Sequence, residues 1–402
     1  MQTVLFVGAG RHQRRAIQRA KELGLRVAAL DRNPDAPGLA EADVPEVVDF
    51  SDVAAAIEEA RRMKPDGVLT ISADRAVPVV AAIAEALELP GIGTQTAHLL
   101  THKVAMRRRL AEAGVPQPRF AAARTLREGR VAALEVGFPS VLKPADSGGQ
   151  RGVFRLESSD DLDAHLHAAL AESPTGEAIV EEFVEGVEMN GIVVARGDDV
   201  LPLTLSDRLR PPGIGFGVGW IHVYPAGIFG DRLEEAEQTM VRSVRALGLR
   251  DGIAFPQLIA PPNGPAQVVE VAARIPGGQM ADLVRHAVGV DLVAVALRQA
   301  LGEAIPDGLV TPKFAQPLAI RFFTAEPGPL PTGKVRRVGS LEKVLAFPGV
   351  VQAESYIAPG ETIRPVRLDG DRRGYVIAVG ETSIEALERA EAASKLVDVE
   401  VE

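Results

Sequence analysis

The first hundred residues alternate short apolar runs with segments of helical periodicity. The apolar, largely β-branched runs predict strands, and apolar residues that recur every three or four positions predict helices between them. Strands that alternate with helices of this length are typical of βαβ units and a parallel sheet. We therefore predict an open α/β domain. Its predicted strands cover 3–7, 26–30, 47–50 and 67–71, and its predicted helices cover 13–23, 54–63 and 76–87.

Beyond residue 90 the pattern changes. It predicts a long helix over 96–113, a linker leading into a new unit over 116–131, and then a small α+β unit. Apolar strands at 253–259 and 267–271 flank the turn APPNGPA, which predicts a β-hairpin. The last hundred residues are rich in proline and glycine and end in a predicted helix over 383–397. The other predicted elements are strands at 141–143, 152–156, 178–183, 190–195 and 200–205, and helices at 160–171, 233–247, 280–288 and 292–301.

Composition removes several classes of function. The 402 residues contain no cysteine, which excludes disulfides, thiolate catalysis, cysteine-ligated zinc and iron–sulfur clusters. A net charge of −10 argues against a nucleic-acid binder, which normally carries a basic patch or a high pI. No apolar run is long enough to span a bilayer, so no membrane partner is expected. The first basic residues follow the first apolar run instead of preceding it, and we therefore expect a cytoplasmic protein.

Two glycines after the first predicted strand resemble part of a dinucleotide-binding fingerprint. Gly8 and Gly10 follow that strand, and Asp31 ends the next one. The third glycine of the fingerprint, which permits close contact between helix and strand, is replaced by Gln13. A tight turn is the favoured interpretation. Contact with an anion or substrate is one alternative, and NAD binding by a nicotinamide-dependent oxidoreductase is another.

Lysine is scarce, with 8 lysines against 36 arginines, so the positions that keep a lysine are informative. Lys143 ends an apolar strand, and Gly148, Gly149 and Gly152 follow it in a loop. Adjacent glycines let backbone N–H groups approach phosphate oxygens, and a lysine supplies a point charge for the same phosphates. The lysine precedes the glycines, unlike in the P-loop, so a glycine hairpin with a surface lysine is the alternative.

Further candidates for nucleotide and metal binding follow along the chain. Lys103 lies near the start of a predicted helix, and the carboxylates of EEFVEGVE (181–188) could hold an adenine amino group and ribose hydroxyls. Gln257 and Glu270 lie on the two strands of the predicted hairpin, and Arg274 follows them. Amide and carboxylate oxygens suit magnesium. Solvated surface positions are the alternative for each of these side chains, although a carboxylate in the apolar strand VVEVAAR is unusual without a partner.

The order of these motifs resembles that of the ATP-grasp superfamily of ATP-dependent ligases. It runs from Lys103 through Lys143 with its glycine loop and EEFVEGVE to Gln257, and ends at EVAAR with Arg274. The chain is most similar to L-amino acid ligases and to carbamoyl-phosphate-synthase-like carboxylate–amine ligases. The resemblance implies an α/β chain with three parts, namely an N-terminal Rossmann-like, biotin-carboxylase-like domain (1–98), an ATP-grasp domain (99–305) with a lid at about 118–184, and a C-terminal α+β domain (306–402).

The resemblance also implies roles for individual residues. Lys103 and Lys143 contact the phosphates of ATP, and Lys143 acts in catalysis together with Arg274. Arg274 stabilises the acyl phosphate and the tetrahedral intermediate that follows it. Gln257 and Glu270 ligate magnesium or manganese. The other implied ATP-binding residues are Ser147, Gly148, Gly149 and Gly152 in the lid loop, Glu181 and Val184 at the adenine, and Glu188 at the ribose.

Two residues depart from the pattern of the superfamily. The second strand of the hairpin usually reads Glu-x-Asn, with the asparagine as a metal ligand, but Ala272 stands at that position. Gln257 stands where glutamate is more common. The number of metal ions therefore stays open, and Ala272 motivates a non-catalytic, ATP-binding regulator as an alternative function.

Substrate contacts are expected from polar residues in loops. Arg210 and Arg285 could each hold a carboxylate through two hydrogen bonds, with a surface ion pair as the alternative. His222 lies in the apolar stretch WIHVYP, where a packed histidine is the favoured interpretation. Gly277 and Gly278 precede a predicted helix whose N-terminus could bind an anion, or they form only a turn. The substrate candidates are Asp74, Arg210, His222, Gly277, Gly278 and Arg285.

The resemblance implies a two-step reaction. A carboxylate attacks the γ-phosphate of ATP, which gives an acyl phosphate and ADP, and an amine then displaces phosphate. The expected partners are a small-molecule carboxylate, with an amino acid favoured, and a small-molecule amine. A homodimer is also expected. A purine-biosynthesis carboxylase or a formyl-transferring ligase of the same superfamily is the alternative enzyme.

Overall fold

The structure, a computed structural model, describes residues 1–210 and 218–402. Its first unit is a parallel sheet with the strand order β3-β2-β1-β4. Every residue of the first strand is buried, because helices cover both faces of the sheet. The predicted α/β domain is confirmed. Its elements are β1 (Thr3–Val7), α1 (Arg11–Glu22), β2 (Arg26–Asp31), β3 (Val44–Val47), α2 (Val53–Met63), β4 (Gly67–Leu69) and α3 (Val77–Ala86).

One strand of this sheet lies earlier in the chain than expected. The prediction placed it at 47–50, but β3 covers Val44–Val47. Pro45 disfavoured a strand at this position, because proline cannot donate a hydrogen bond within a sheet. The structure tolerates Pro45 because β3 lies at the edge of the sheet and pairs only with β2.

The predicted helix over 96–113 is wrong in one respect, since the chain forms two helices there. They are α4 (Thr94–Leu99) and α5 (Lys103–Glu112). The side chain of His102 accepts a hydrogen bond from the backbone N–H of Ala105 at 3.4 Å and so caps α5. Lys103 is therefore the first residue of a new helix.

The next unit is a four-stranded antiparallel sheet with the order β5-β8-β6-β7, covered by two helices. The stretch 116–131 holds the start of this unit, as predicted, but most of it is not a linker, because it contains a strand and the start of a helix. That strand reads FAAA, whose small side chains give no alternation of polar and apolar positions. The elements are β5 (Phe120–Ala123), α6 (Leu126–Val136), β6 (Ser140–Pro144), β7 (Phe154–Leu156), α7 (Ser159–Ala171) and β8 (Ala178–Glu182).

An eight-stranded antiparallel sheet forms the centre of the molecule, with the order β13-β12-β9-β10-β11-β14-β18-β16. Its strands come from both sides of residue 305, so one continuous sheet joins the C-terminal part to the residues before it. Up to that residue its elements are β9 (Val187–Arg196), β10 (Asp199–Leu209), β11 (Ile221–Tyr224), α8 (Asp231–Ala246), β12 (Asp251–Ala260), β13 (Gln267–Ala272), α9 (Met280–Val288) and α10 (Leu292–Ala300).

The C-terminal part adds three strands to the central sheet and forms a small second sheet with the order β17-β15-β19. Its last helix, α13, confirms the predicted C-terminal helix with an earlier end. The elements are α11 (Asp307–Val310), β14 (Leu318–Phe322), β15 (Gly333–Val338), α12 (Glu342–Leu345), β16 (Val350–Ser355), β17 (Thr362–Ile363), β18 (Gly374–Val379), α13 (Ser383–Ser394) and β19 (Val399–Val401).

The central sheet is covered on both faces because its strands are apolar on both faces. Ile192 and Val194 of β9 belong to the core that includes the first α/β unit, α9 and α10, whereas Val193 and Ala195 belong to the core under α8. Successive residues of a strand point to opposite faces, so one strand contributes to both cores. Among the described residues, no helix combines the length and the apolar character that a membrane crossing needs.

Candidate active site

A buried cluster of charges lies at the end of the strand that carries Lys143. The Nζ atom of Lys143 lies 2.7 Å from Oε2 of Glu181 on the neighbouring strand, and the side chains are 8% and 3% exposed. Arg107 of α5 binds the same carboxylate with two hydrogen bonds, of 2.8 Å from Nε and 3.0 Å from Nη2. Two cations therefore share one carboxylate, and the cluster keeps a net positive charge.

The pKa values of the cluster follow from this arrangement. Burial by itself would raise the pKa of Glu181, but the charges of Arg107 and Lys143 outweigh it and lower the pKa from 4.5 to about 2. Burial is the main cause that lowers the pKa of Lys143, and the positive charge of Arg107 lowers it further. The negative charge of Glu181 acts in the opposite direction. A protonated Lys143 shares the single negative charge of Glu181 with Arg107, so one positive charge of the cluster is not neutralised. This favours the binding of an anion such as a phosphate.

We expect Glu181→Gln to lower the free energy of unfolding at pH 7 by roughly 3–5 kcal/mol, because two buried cations lose their carboxylate. Since the folded protein lowers the pKa of Glu181, this contribution is complete above pH 4.5 and disappears as the pH falls from 4.5 towards 2. Denaturant titrations of both proteins at a series of pH values measure the difference. Glu182→Gln is the control, because Glu182 is 38% exposed and pairs with the exposed Arg119. Equal losses in the two variants would contradict the prediction.

The glycine loop after Lys143 comes close to the start of α5. The Nζ atom of Lys103 donates to the backbone oxygen of Ser147 at 2.8 Å and lies 3.3 Å from Oε1 of Glu270. Gly149 and Gly152 have φ angles of +73° and +66°, which glycine adopts without strain. The fold thus brings the loop, Lys103 and Glu270 together.

Gly148 of the same loop lies against the first α/β unit. A Cβ atom at this position would lie 3.0 Å from Oδ2 of Asp74. Asp74 in turn binds Arg274, since its Oδ1 atom lies 2.7 Å from Nε and 2.6 Å from Nη2 of the arginine. Burial alone would raise the pKa of Asp74, but the guanidinium of Arg274 outweighs it and lowers the pKa. An ionised Asp74 therefore orients Arg274 beside the loop.

The two expected metal ligands face each other as predicted. Gln257 on β12 is the register partner of Glu270 on β13. The Nε2 atom of Gln257 donates to Oδ1 of Asn190 at 3.3 Å, and Glu270 is 32% exposed. Within residues 1–210 and 218–402, no group of three or more histidines and carboxylates could hold a metal. One carboxylate and one amide oxygen fit magnesium only if phosphate oxygens supply further ligands, which is its usual mode of binding.

Glu188 and Arg210 contact each other instead of standing free for ligands. Glu188, the implied ribose contact, forms ion pairs with two arginines. Its Oε2 atom lies 2.8 Å from Nη1 of Arg208, and its Oε1 atom lies 2.9 Å from Nε of Arg210. The following residues 211–217 of the glycine-rich loop lie outside the described residues. Val184, the implied adenine contact, lies two residues after the end of β8 and is half-buried.

His222 is a packed histidine, in agreement with the favoured interpretation. Its Nδ1 atom lies 3.2 Å from Nδ2 of Asn190, and its ring packs edge-on against Phe322. Burial, together with the charges of Arg372 and Arg208, lowers its pKa well below the usual value. The neutral ring borders the glycine pair, since a Cβ atom on Gly278 would lie 3.2 Å from His222 Nε2.

The remaining substrate candidates differ in their surroundings. A Cβ atom on Gly277 would lie 3.6 Å from Oγ of Ser72, in the loop that also carries Asp74. Arg285 is 54% exposed and contacts Asp282 at 3.0 Å and Gln352 at 2.9 Å. The structure therefore brings Gly277, Gly278 and His222 to the site and leaves Arg285 in a surface ion pair.

Arg107 is a buried site residue that the sequence analysis missed. It follows Lys103 by four positions, so both side chains lie on one face of α5. The same face carries the buried Val104 and Leu110. An arginine among apolar residues at helical spacing was the available signal, because a buried charge needs a partner.

The fold is that of the ATP-grasp class. The sequence model of the carbamoyl-phosphate synthase L chain, ATP binding domain, matches residues 102–307, which is half of the chain. The chain therefore belongs to this family. The L-amino acid ligase C-terminal domain 2 matches residues 321–402. ATP and Mg²⁺ are the cofactors of the family, in agreement with the prediction.

Individual relatives support the same assignment. The uncharacterized protein y4rH of Sinorhizobium fredii is 30% identical over 320 residues, which cover 77% of this chain but only 63%, less than two thirds, of the relative. The formate-dependent phosphoribosylglycinamide formyltransferase of Ignicoccus hospitalis is 28% identical over 99% of this chain and 96% of its own length. The crystal structure of an L-amino acid ligase from Bacillus licheniformis has a TM-score of 0.83 at 21% identity, covering 100% and 99% of the two chains. This structural likeness confirms the predicted fold.

Proposed function

We propose that this chain activates a carboxylate with ATP and joins it to an amine, and that at least one substrate is an amino acid. The match of residues 321–402 to the C-terminal domain of L-amino acid ligases carries the proposal. This part contacts the candidate site directly. The Nε2 atom of Gln279, next to Gly278, donates to Tyr356 Oη at 2.8 Å, and Arg372 Nη1 donates to the backbone oxygen of Gly219 at 3.1 Å.

In the proposed first step, an oxygen of the substrate carboxylate bonds to the γ-phosphorus and the bond to ADP breaks. Lys103 and Lys143 offset the charge of the phosphates. In phosphoryl transfer a protein contributes mainly such charge stabilisation and the positioning of the reacting groups. Glu270 and Gln257 would hold magnesium, which supplies further positive charge at the phosphates when it is bound. In the second step an amine nitrogen attacks the acyl carbon and phosphate leaves. Arg274, oriented by Asp74, stabilises the negative oxygen that develops there.

The acyl phosphate must be kept from water between the two steps. Two observations on the loop from Ser147 to Gly152 support such a role: Gly149 and Gly152 have positive φ angles, and the backbone oxygen of Ser147 accepts a hydrogen bond from Lys103. We propose that the loop closes over the bound phosphates.

A test is the release of ADP and phosphate from MgATP in the presence of pairs of amino acids. We expect release above background with at least one pair, and a condensed product of matching mass. ATP binding without release for every carboxylate tested would instead favour the non-catalytic regulator that Ala272 suggests.

One observation favours a second candidate, a formyl-transferring ligase. The Ignicoccus hospitalis formyltransferase matches nearly the whole chain, including the C-terminal part. Glycinamide ribonucleotide with formate in the same assay separates the two proposals, because only the formyltransferase would release ADP with this pair. The homodimer and the cytoplasmic location remain predictions.

A further inference from the structure

Arg107 contacts two separate parts of the proposed ATP site. Its side chain is 1% exposed. Besides the two bonds to Glu181, its Nη1 donates to the backbone oxygen of Val268 at 2.6 Å and its Nη2 to that of Val269 at 2.7 Å. One guanidinium therefore joins β8, which holds Lys143 through Glu181, to β13.

The contact on β13 falls at a β-bulge. Gln257 pairs with Glu270, but the next residue, Leu258, pairs with Val268. Val269 is thus the extra residue of β13, and the carbonyls on either side of the bulge are those that bind Arg107. A bulge redirects the side chains next to it, and the residue that follows this one is Glu270.

The geometry needs arginine. The guanidinium has five N–H donors in a planar fork, and here it binds both oxygens of a carboxylate and two carbonyls of another strand. A lysine ammonium could keep the charge opposite Glu181, but it could not reach both strands in a fixed orientation.

We infer that Arg107 is a positioning residue, which ties the carboxylate that holds Lys143 to the bulge that orients Glu270. The phosphate-binding lysine and the metal-binding carboxylate thereby keep one relative placement. The inference rests on the proposed ATP site. Arg107 acts through these two groups and has no contact with the nucleotide in this role.

The test compares Arg107→Lys with the wild type in ADP binding by calorimetry, at a series of Mg²⁺ concentrations. We expect the Mg²⁺ concentration for half-maximal ADP binding to rise roughly 10- to 100-fold, as for other residues that orient a metal ligand. The affinity for ADP without metal should change much less. Arg109→Lys is the control, because Arg109 lies on the same helix, is 49% exposed and contacts Ala246 and Glu112 at the surface.

The possible outcomes separate the inference from the proposed function. If the wild type does not bind MgADP, the ATP site itself is wrong. If the wild type binds and Arg107→Lys has the same Mg²⁺ dependence, Arg107 is only structural and the inference is overturned. If Arg107→Lys does not fold, Arg107→Gln takes its place, because Lys143 and Glu181 then remain as a pair of opposite charges. The result expected for Arg107→Gln, and the result that would overturn the inference, are the same as for Arg107→Lys.

Discussion

Replacing Lys143 by methionine should abolish ATP-dependent turnover and leave the protein folded. Lys143 provides the charge by which the buried cluster exceeds neutrality, and in the proposed reaction this charge offsets that of the ATP phosphates. Removing one pre-positioned charge or donor from a site of this kind costs about 10²- to 10³-fold in rate. We expect at least this loss in kcat/KM, together with weaker MgADP binding.

The fold should survive this substitution because no buried charge loses its partner. Glu181 keeps its two hydrogen bonds from Arg107 and becomes half of a balanced pair. Lys143→Met should therefore be less destabilising than Glu181→Gln. ADP release and MgADP calorimetry measure the effect, and Lys395→Met, at an exposed position after α13, is the control. Full activity in Lys143→Met would show that the ATP site is placed wrongly.

Replacing Arg274 by lysine should slow turnover and leave nucleotide binding nearly unchanged. Asp74 and the ring of Phe255, whose centroid lies 5.7 Å from Arg274 Cζ, hold the guanidinium in place. Lysine keeps the charge but loses the planar fork that can bind two oxygens. We expect kcat to fall by about 10²- to 10³-fold, because the lost interaction forms only with the oxygen that becomes negative during the second step.

For Arg274→Lys, kcat and the dissociation constant for MgADP are both measured and compared with those of the wild type. A weaker MgADP affinity with an unchanged kcat would place Arg274 in nucleotide binding and contradict its proposed role. Arg298→Lys is a suitable control, because Arg298 is 45% exposed and pairs with Glu303 at the surface.

Sequence patterns predicted elements well where periodicity was strong. The predicted helix over 280–288 has the bounds of α9, Met280–Val288, and the hairpin of β12 and β13 has the predicted partners Gln257 and Glu270. The break before α5 was missed because neither glycine nor proline marks it. His102 creates it through a capping hydrogen bond, and a histidine is not a typical capping residue.

Apart from the hairpin partners Gln257 and Glu270, the candidate site residues were predicted singly, without their contacts. Asp74 and Arg274 are 200 positions apart, so no spacing rule connects them. Glu188 was assigned to ribose and Arg210 to a substrate carboxylate, yet the two side chains bind each other. The register of β9 against β10 brings Glu188 and Arg210 together, and register depends on pairing along whole strands.

The sequence by itself determined which chemistry is present and which is absent. It excluded cysteine chemistry, arranged Lys103, Lys143 and Arg274 in the order of a known ligase family, and specified most strands and helices through local periodicity. Only the tertiary structure decided which charges meet. Arg107, Lys143 and Glu181 form one buried cluster because α5, β6 and β8 pack together, and in such a dry environment the partners of a charge determine its pKa and its ability to bind phosphate.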